Sequence, residues 1–455
     1  MDLVFAQMIK DILLEKSRSE DTFIIVDDKV YTFNMFSNLI DGFIQQVAKC
    51  NNKINRITID YAANIDILVS IIGCNRLNII PILLPPENRR LKNVNYSEIS
   101  NADHLIKDNS CIIQLNDNPC CDSINVDNPI QCVLFTSGSS GCPKAVELTY
   151  KNIYSSALNW NKVLGFQVNE YYLNVLPLDH IGGLSIFFRS IYYGFISVVS
   201  SYNKSTLLSD IEKYNIDYIS VVPKMVSNII ERNEIQGLAS QLKTVIVGGD
   251  GINQSIFNYF KKNNINAYIS YGMTETCSGI AGYFLNECSQ FNKGYIGDSH
   301  SDVEITLKDN FIQVRSEVVM YGYSGKPKNS KTFITSDVGK IENNQIYFLS
   351  RGTDFIISGG ENISLLNIKN IINTCTGVLD SVVIGVENEK WGMVPAAVFE
   401  SSNNETSIKE VSDFCKNNLP NYMVPKYFIN INKIPYKNNK IDYNLIRHYV
   451  NKSVL

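Results

Sequence analysis

Several short apolar runs in this chain stop abruptly on turns of glycine, proline, hydroxyl or charged residues, and that pattern limits the available folds more than any other feature. Residues 133–135 run into Thr136-Ser137-Gly138-Ser139-Ser140-Gly141-Cys142-Pro143-Lys144. Residues 174–178 read as a strand ending at Asp179-His180-Ile181-Gly182-Gly183, and 218–222 as one ending at Pro223. Residues 244–247 end at Gly248-Gly249-Asp250, and 267–270 at Ser270 before the turn Tyr271-Gly272-Met273-Thr274-Glu275-Thr276. Ligands of α/β sheets collect beyond the carboxyl ends of strands, which is where these residues fall. The loop after 133–135 carries the most chemistry. Its glycines let the backbone approach a ligand and turn N–H groups inward, its hydroxyls add donors, and Lys144 supplies a cation. This equipment suits a polyphosphate. It is not the Walker A pattern, because Pro143 stands where that pattern requires glycine before Lys-Ser/Thr.

The surrounding patterns predict alternating strands and helices. Residues 22–26 and 29–32 read as a hairpin around Asp27-Asp28. Phe36, Leu39, Ile40, Phe43 and Val47 share one face of an amphipathic helix. A strand at 54–59, a helix at 64–74 and a strand at 78–84 follow, while 87–128 shows no resolvable pattern. Thr149 caps a helix reaching Trp160, and a helix over 184–193 carries one cation, Arg189. This alternation implies α/β class with doubly wound layers. From Gly294 onward short strands at 303–307, 311–314, 340–342 and 346–349 suggest a small β-rich subdomain. Past a charged turn at 351–354, strand, helix and strand recur in a tail of about 100 residues. The expected division is a large N-terminal domain, 1–350, and a small mobile α+β C-terminal domain, 351–455.

Composition narrows the function classes. At 455 residues the chain is too long for one core. A net charge of −4, with no basic patch interleaved with aromatics, argues against nucleic acid. Eleven cysteines without a CxxC pair read as free, reduced thiols. Asp2, Asp11 and Glu15 make a poor signal peptide, and Asn75, Arg76 and Asn78 interrupt the most apolar stretch, so no membrane span is expected. A cytoplasmic protein is the expectation, with the oligomeric state open, a homo-oligomer included.

The order Thr-Ser-Gly-Ser-Ser-Gly-x-Pro-Lys at 136–144 resembles the phosphate loop of the acyl-adenylate-forming enzymes: acyl-CoA synthetases, adenylation domains and luciferases. The resemblance implies that Thr136, Ser137, Gly138, Ser139, Ser140, Gly141 and Lys144 hold ATP. It implies that Tyr271, with Gly272, packs on adenine, that Thr274 contacts the α-phosphate and that Glu275 binds magnesium. Thr335-Ser336-Asp337 is similar to the family's Thr-Gly-Asp, whose aspartate accepts bonds from the ribose hydroxyls; taken alone, Asp337 is a turn residue. Arg351 matches the ribose-binding arginine, and Thr353 stands at the hinge, where the family has Asp or Lys. Lys440, before Ile441-Asp442, matches the catalytic lysine, with Asn439 in place of the usual glycine and Lys437 as the weaker match. His180 corresponds to a residue bordering the acyl pocket and the thiol tunnel, and is grouped with Lys440 and Thr136 as catalytic. Gly248, Gly249, Ser270 and Gly272 join His180 and Arg189 as candidate acid-binding residues.

The activity so implied is attack of a carboxylate on the α-phosphate of ATP, giving an acyl adenylate and pyrophosphate. The small domain then rotates and admits a thiol, usually coenzyme A. Residues 176–185, 271–278 and 390–397 are similar to the branch of the family that activates an aromatic dicarboxylate for menaquinone biosynthesis. The second carboxylate of such an acid needs a cation or several donors. Arg189 is the only charge between Asp179 and Lys204 and is the candidate reader; the alternative is an arginine snorkelling at a helix edge. Two further readings stay open. One keeps the chemistry with another acid, as in an aryl- or fatty-acyl-CoA ligase or a carrier-protein-loading adenylation enzyme. The other is a nucleotide-binding regulator that no longer catalyses.

Overall fold

The computed structural model describes residues 2–50, 53–60, 63–90, 94–107, 111–114, 129–136, 143–232, 242–343, 345–351, 355–358, 361–388, 392–401, 407–437 and 440–454. Ser137, Gly138, Ser139, Ser140, Gly141 and Thr353 lie outside the described residues, as do the side chains of Arg351, Lys437 and Lys440. The chain divides into two compact units. The first is Met1–Lys308 with Ile312–Thr335 and Lys340–Tyr347, and the second is Phe348–Leu455 with Asp309–Phe311 and Ser336–Gly339.

A nine-stranded sheet organises the first unit, in the order Asp298–Ser299, Ser278–Phe284, Ala267–Met273, Thr244–Val247, Tyr218–Val221, Tyr171–Asn174, Ile196–Val199, Thr22–Val26 and Lys29–Thr32. Strands from Ala267–Met273 across to Thr22–Val26 are parallel, so their carboxyl ends share one edge. The inner strands are apolar because both faces are covered. Leu173, Ile219, Val221, Val245 and Val247 pack with Ile211, Ile256, Phe257 and Phe260 on one face. Tyr172, Tyr218, Ile246 and Tyr268 pack with Trp160, Phe166, Ile186 and Phe195 on the other. Each such side chain contributes roughly 1.5–3 kcal/mol by leaving water. Tyrosine on that second face brings hydroxyls into the core, where they need partners: Tyr172 Oη lies 2.8 Å from Ser220 Oγ and Tyr268 Oη lies 3.0 Å from His300 Nε2.

A seven-stranded sheet runs Gly322–Tyr323, Lys144–Thr149, Ile130–Thr136, Ile80–Leu83, Arg56–Asp60, His104–Lys107 and Cys111–Gln114. Four strands, Glu304–Lys308, Phe311–Arg315, Thr332–Glu342 and Gln345–Arg351, form the small β-rich sheet. In the second unit Glu361–Ser364, Phe355–Ser358, Gly392–Ser401, Val378–Asn388 and Tyr427–Ile431 form a mixed sheet. Helices Leu365–Ile372 and Ile408–Asn418 close its core around Ile363, Phe399, Val411 and Cys415. Among the described residues no helix is long and apolar enough to cross a membrane, and Cys50, Cys74, Cys132, Cys277, Cys288, Cys375 and Cys415 are free thiols.

Local signals gave the right elements where they were strong. Asp27 and Asp28 both take left-handed φ, 48° and 67°, as the two-residue hairpin turn requires. Thr149 caps the helix Tyr150–Leu164 and forms a reciprocal capping box with Asn152. Four expectations need correction. The strand read at 174–178 is Tyr171–Asn174, because the Asn174 amide turns the chain by accepting from Leu176 N (3.3 Å) and donating to Gly183 O (2.9 Å). The strand read at 267–270 continues through Tyr271 and Gly272 to Met273, drawn on by antiparallel pairing with Ser278–Phe284. Residues 340–342 are the end of the long strand Thr332–Glu342, so Asp337 is a buried mid-strand residue rather than an exposed turn. Lys144–Thr149 is a strand that the sequence reading missed.

Candidate active site

Two of the phosphate-loop candidates, Thr136 and Lys144, are brought together by antiparallel strand pairing. Thr136, the last residue of Ile130–Thr136, sits directly opposite Lys144 across the antiparallel ladder. The Thr136 hydroxyl oxygen is buried and has no hydrogen-bond partner among the described residues. A buried hydroxyl left in that state is a donor awaiting a ligand, and it fits a phosphate. Lys144 Nζ lies 5.0 Å above the ring of Tyr323, and Tyr323 Oη donates to Glu275 Oε1 at 2.9 Å. Burial, and then the Glu275 carboxylate, push the Tyr323 phenol well above its ordinary value, so it keeps its proton.

Glu275 is aimed by a short turn, Thr274–Thr276, whose geometry is fixed by its own hydroxyl. Thr276 Oγ1 accepts from Met273 N and stands 3.1 Å from both Met273 O and Ser278 O. Met320 N donates to Glu275 O at 2.8 Å. Cys277 and Ser278 follow with φ of 52° and 93°, a left-handed pair without glycine that costs about 1–3 kcal/mol per residue. Tyr271, Gly272 and Thr274 all line this end of the strand, half-buried. Among the described residues no cluster of three or more His, Cys, Asp or Glu could cage a metal. A lone carboxylate fits magnesium, which takes one or two carboxylates and completes its shell with phosphate oxygens and water.

Gly272 faces Gly279 across the ladder, and a Cβ there would collide with the backbone carbonyl of Ser278. The two strands need this glycine, whatever ligand it also meets. Gly272→Ala should therefore lose about 1–3 kcal/mol of stability in urea unfolding. Unchanged stability would show that the ladder can widen there. Gly183 is required in the same way, since a Cβ would lie 2.5 Å from the carbonyl oxygens of both Leu176 and Pro177.

Three acid-binding candidates, Gly248, Ser270 and Arg189, are linked through Gly279 and Trp160. Gly248 follows the strand Thr244–Val247 beside Ser270: a Cβ on Gly248 would stand 3.6 Å from Ser270 O, and Gly249 turns away with φ of +83°. Gly279 leaves room for Ser270 Oγ and for the Trp160 ring. Over that ring, at 4.6 Å, lies the guanidinium of Arg189 from helix Ile181–Tyr193. Arg189 is 2% exposed, so the snorkelling alternative is excluded. Its Nη2 donates to Ser278 Oγ at 3.0 Å, while Arg189 Nε and Trp160 Nε1 are buried without hydrogen-bond partners among the described residues. Among the described residues no carboxylate forms an ion pair with Arg189. Burial lowers the guanidinium to about 10, which leaves it charged at neutral pH. Burial, with the nearby Arg189 charge, lowers the neighbouring His300 to about 4, which leaves it neutral.

His180 caps the amino end of the same helix and has a half-exposed side chain. Arg89 Nη1 lies 2.8 Å from His180 Nε2, and Arg89 Nη2 donates to Asp179 Oδ1 at 2.5 Å. A guanidinium only donates, so Nε2 is the accepting nitrogen and the ring proton is on Nδ1. Sequence reasoning assigned no role to Arg89, Asp179, Trp160, Ser278 or Tyr323. The only signal for Arg89 was a double arginine after Pro85-Pro86 in a stretch without pattern. Asp337, Arg351 and Lys440 belong to the second unit, where Arg351 ends Gln345–Arg351 and Lys440 opens Lys440–Ile441.

Residues 62–320 match the model of the family described as AMP-binding enzyme, and residues 367–440 match AMP-binding enzyme C-terminal domain. The chain belongs to the AMP-binding enzyme family. A protein named 2-succinylbenzoate–CoA ligase from Staphylococcus aureus (strain MRSA252) is 31% identical over 333 residues, 69% of this chain and 65% of that one. A protein of the same name from Staphylococcus epidermidis is 30% identical over 325 residues, 68% of this chain and 67% of that one. The match thus spans about two thirds of the length of these curated relatives. O-succinylbenzoate coenzyme A synthetase (MenE) from Bacillus subtilis, in complex with ATP and magnesium ion, has the same fold, with a TM-score of 0.81 at 25% identity over 96% of this chain and 99% of that one. The AMP-binding segment of this chain contains Thr136, Lys144, His180, Arg189, Ser270 and Glu275, the residues whose geometry is described above.

Proposed function

We propose that this member of the AMP-binding enzyme family is a 2-succinylbenzoate–CoA ligase. It joins the acid to AMP with release of pyrophosphate, then passes the acyl group to coenzyme A with release of AMP. The names of the relatives at 30% and 31% identity support the reaction. The observation that supports the choice of acid is Arg189: a buried guanidinium that has no carboxylate partner, and no hydrogen-bond partner at Nε, among the described residues, beside the buried Trp160 indole N–H, which has none there either. The second carboxylate of an aromatic diacid would satisfy them together, whereas a fatty acid would leave a buried charge unpaired.

The adenylation step brings two anions together, so donors and cations must be in place beforehand. We assign that work to Lys144, the Thr136 hydroxyl and the loop donors Ser137, Gly138, Ser139, Ser140 and Gly141. Magnesium, when bound, neutralises phosphate charge, and Glu275 is the residue that would hold it. Tyr271 and Gly272 take the adenine, Thr274 the α-phosphate, and Asp337 with Arg351 the ribose. Lys440, on a mobile domain of residues 351–455, stabilises the charge that builds as the acyl oxygen–phosphorus bond forms and the bond to pyrophosphate breaks. His180, with its proton on Nδ1, borders the acyl group, while Ser270, Gly248 and Gly249 line the acid. Dependence on ATP and coenzyme A places the enzyme in the cytoplasm.

The test is to incubate the protein with ATP, magnesium, coenzyme A and one acid at a time, and to weigh the thioester formed. 2-Succinylbenzoate is expected to give its thioester, and benzoate, coumarate and octanoate are not. A thioester from one of these three alone would overturn the assignment of the acid. An adenylate that never transfers would overturn coenzyme A as acceptor.

A further inference from the structure

Tyr323 was not singled out by any motif, yet its side chain links two parts of the nucleotide site. It lies in Gly322–Tyr323, which pairs antiparallel with Lys144–Thr149, Tyr323 opposite Val146. Three further backbone bonds pin this strand: Tyr321 N to Glu147 O, Ser324 N to Ala145 O (each 2.9 Å), and Met320 N to Glu275 O (2.8 Å). The ring is therefore fixed with respect to both the strand that opens on Lys144 and the turn that carries Glu275. From that seat its face holds Lys144 Nζ at 5.0 Å and its hydroxyl donates to Glu275 Oε1 at 2.9 Å.

We infer that Tyr323 is a positioning residue that orients the Glu275 carboxylate for magnesium and seats the Lys144 ammonium for phosphate. The inference rests on the reading of Glu275 as the residue that holds the metal. A phenol donating to one carboxylate oxygen fixes the rotation of the group and turns the other oxygen toward a cation. Outer partners of this kind change metal affinity by about 10- to 100-fold. The ring face is a separate device, since it attracts an ammonium whether or not the hydroxyl is present.

The two devices can be separated by calorimetric titration of ATP without acid, once with magnesium and once with EDTA. Tyr323→Phe keeps the ring and removes the donor. It is expected to weaken the magnesium-dependent binding by about 10- to 100-fold and to leave binding in EDTA at the parental value. Tyr323→Leu is expected to weaken binding in EDTA as well, because Lys144 loses its seat. In a Glu275→Gln background, which should itself lose the magnesium dependence, Tyr323→Phe is expected to add nothing. Unfolding in urea accompanies each variant, and the comparison of magnesium with EDTA cancels any common loss of folded protein. Parental magnesium dependence in Tyr323→Phe, alongside its loss in Glu275→Gln, would overturn the role of Tyr323. Parental dependence in Glu275→Gln would overturn the reading of Glu275 itself.

Discussion

Replacing Lys440 by alanine is expected to lower acid-dependent exchange of labelled pyrophosphate into ATP by about 10²- to 10³-fold, the scale of losing one positioned donor at a reacting centre. ATP affinity should change by less than about tenfold, because a group that acts on developing charge contributes little to ground-state binding. Transfer from a preformed acyl adenylate to coenzyme A should stay near the parental rate if the lysine serves only the first half-reaction. The register makes a control available. Lys440 is directly opposite Lys437 in the short hairpin of Tyr436–Lys437 and Lys440–Ile441, so Lys437→Ala changes the same hairpin without touching the assigned residue. Exchange kept in Lys440→Ala and lost in Lys437→Ala would move the role to Lys437.

Arg189→Met should separate stability from specificity. The fold lowers the Arg189 guanidinium to about 10, so its charged form weakens the native state at neutral pH. That penalty is roughly 3 kcal/mol, and it fades as pH rises above the folded value toward the free one. Replacing such a charge by an apolar side chain of similar length is expected to leave unfolding in urea unchanged, or to raise stability by at most about 3 kcal/mol. The specificity constant for 2-succinylbenzoate should fall by about 10²- to 10³-fold, the cost of leaving one partner of a buried pair behind. That for any acid with a single carboxylate should change far less. A residue kept at a cost in stability is expected where it serves function. Equal losses for one- and two-carboxylate acids, or a fold weakened by several kcal/mol, would make Arg189 a structural residue.

What the sequence disclosed was whatever is encoded locally. Asp27-Asp28, the Thr149 cap and the buried face of Phe36, Ile40, Phe43 and Val47 are decided by neighbours in the chain and were legible, although Leu39, read onto that face, is exposed. The glycines that follow Thr244–Val247 were legible for the same reason. Elements whose fate depends on a distant partner were not. Lys144–Thr149 exists because Ile130–Thr136 and Gly322–Tyr323 flank it, and its buried Glu147 is satisfied by Arg56 at 2.8 Å and Ser324 at 2.9 Å, both distant in sequence. Ala267–Met273 outruns its apolar stretch because Ser278–Phe284 folds back on it. Arg189 showed its charge but not its burial, which comes from Trp160 and Ser278, and Tyr323 showed nothing until Glu275 and Lys144 were seen around it.

Exchange of labelled pyrophosphate into ATP, measured with 2-succinylbenzoate, benzoate, coumarate and octanoate in turn, tests most directly whether this chain activates a carboxylate through its adenylate. The account predicts exchange with 2-succinylbenzoate, none without acid, and its loss in Lys440→Ala. No exchange with any of the four acids, in protein that still binds ATP with magnesium, would contradict it.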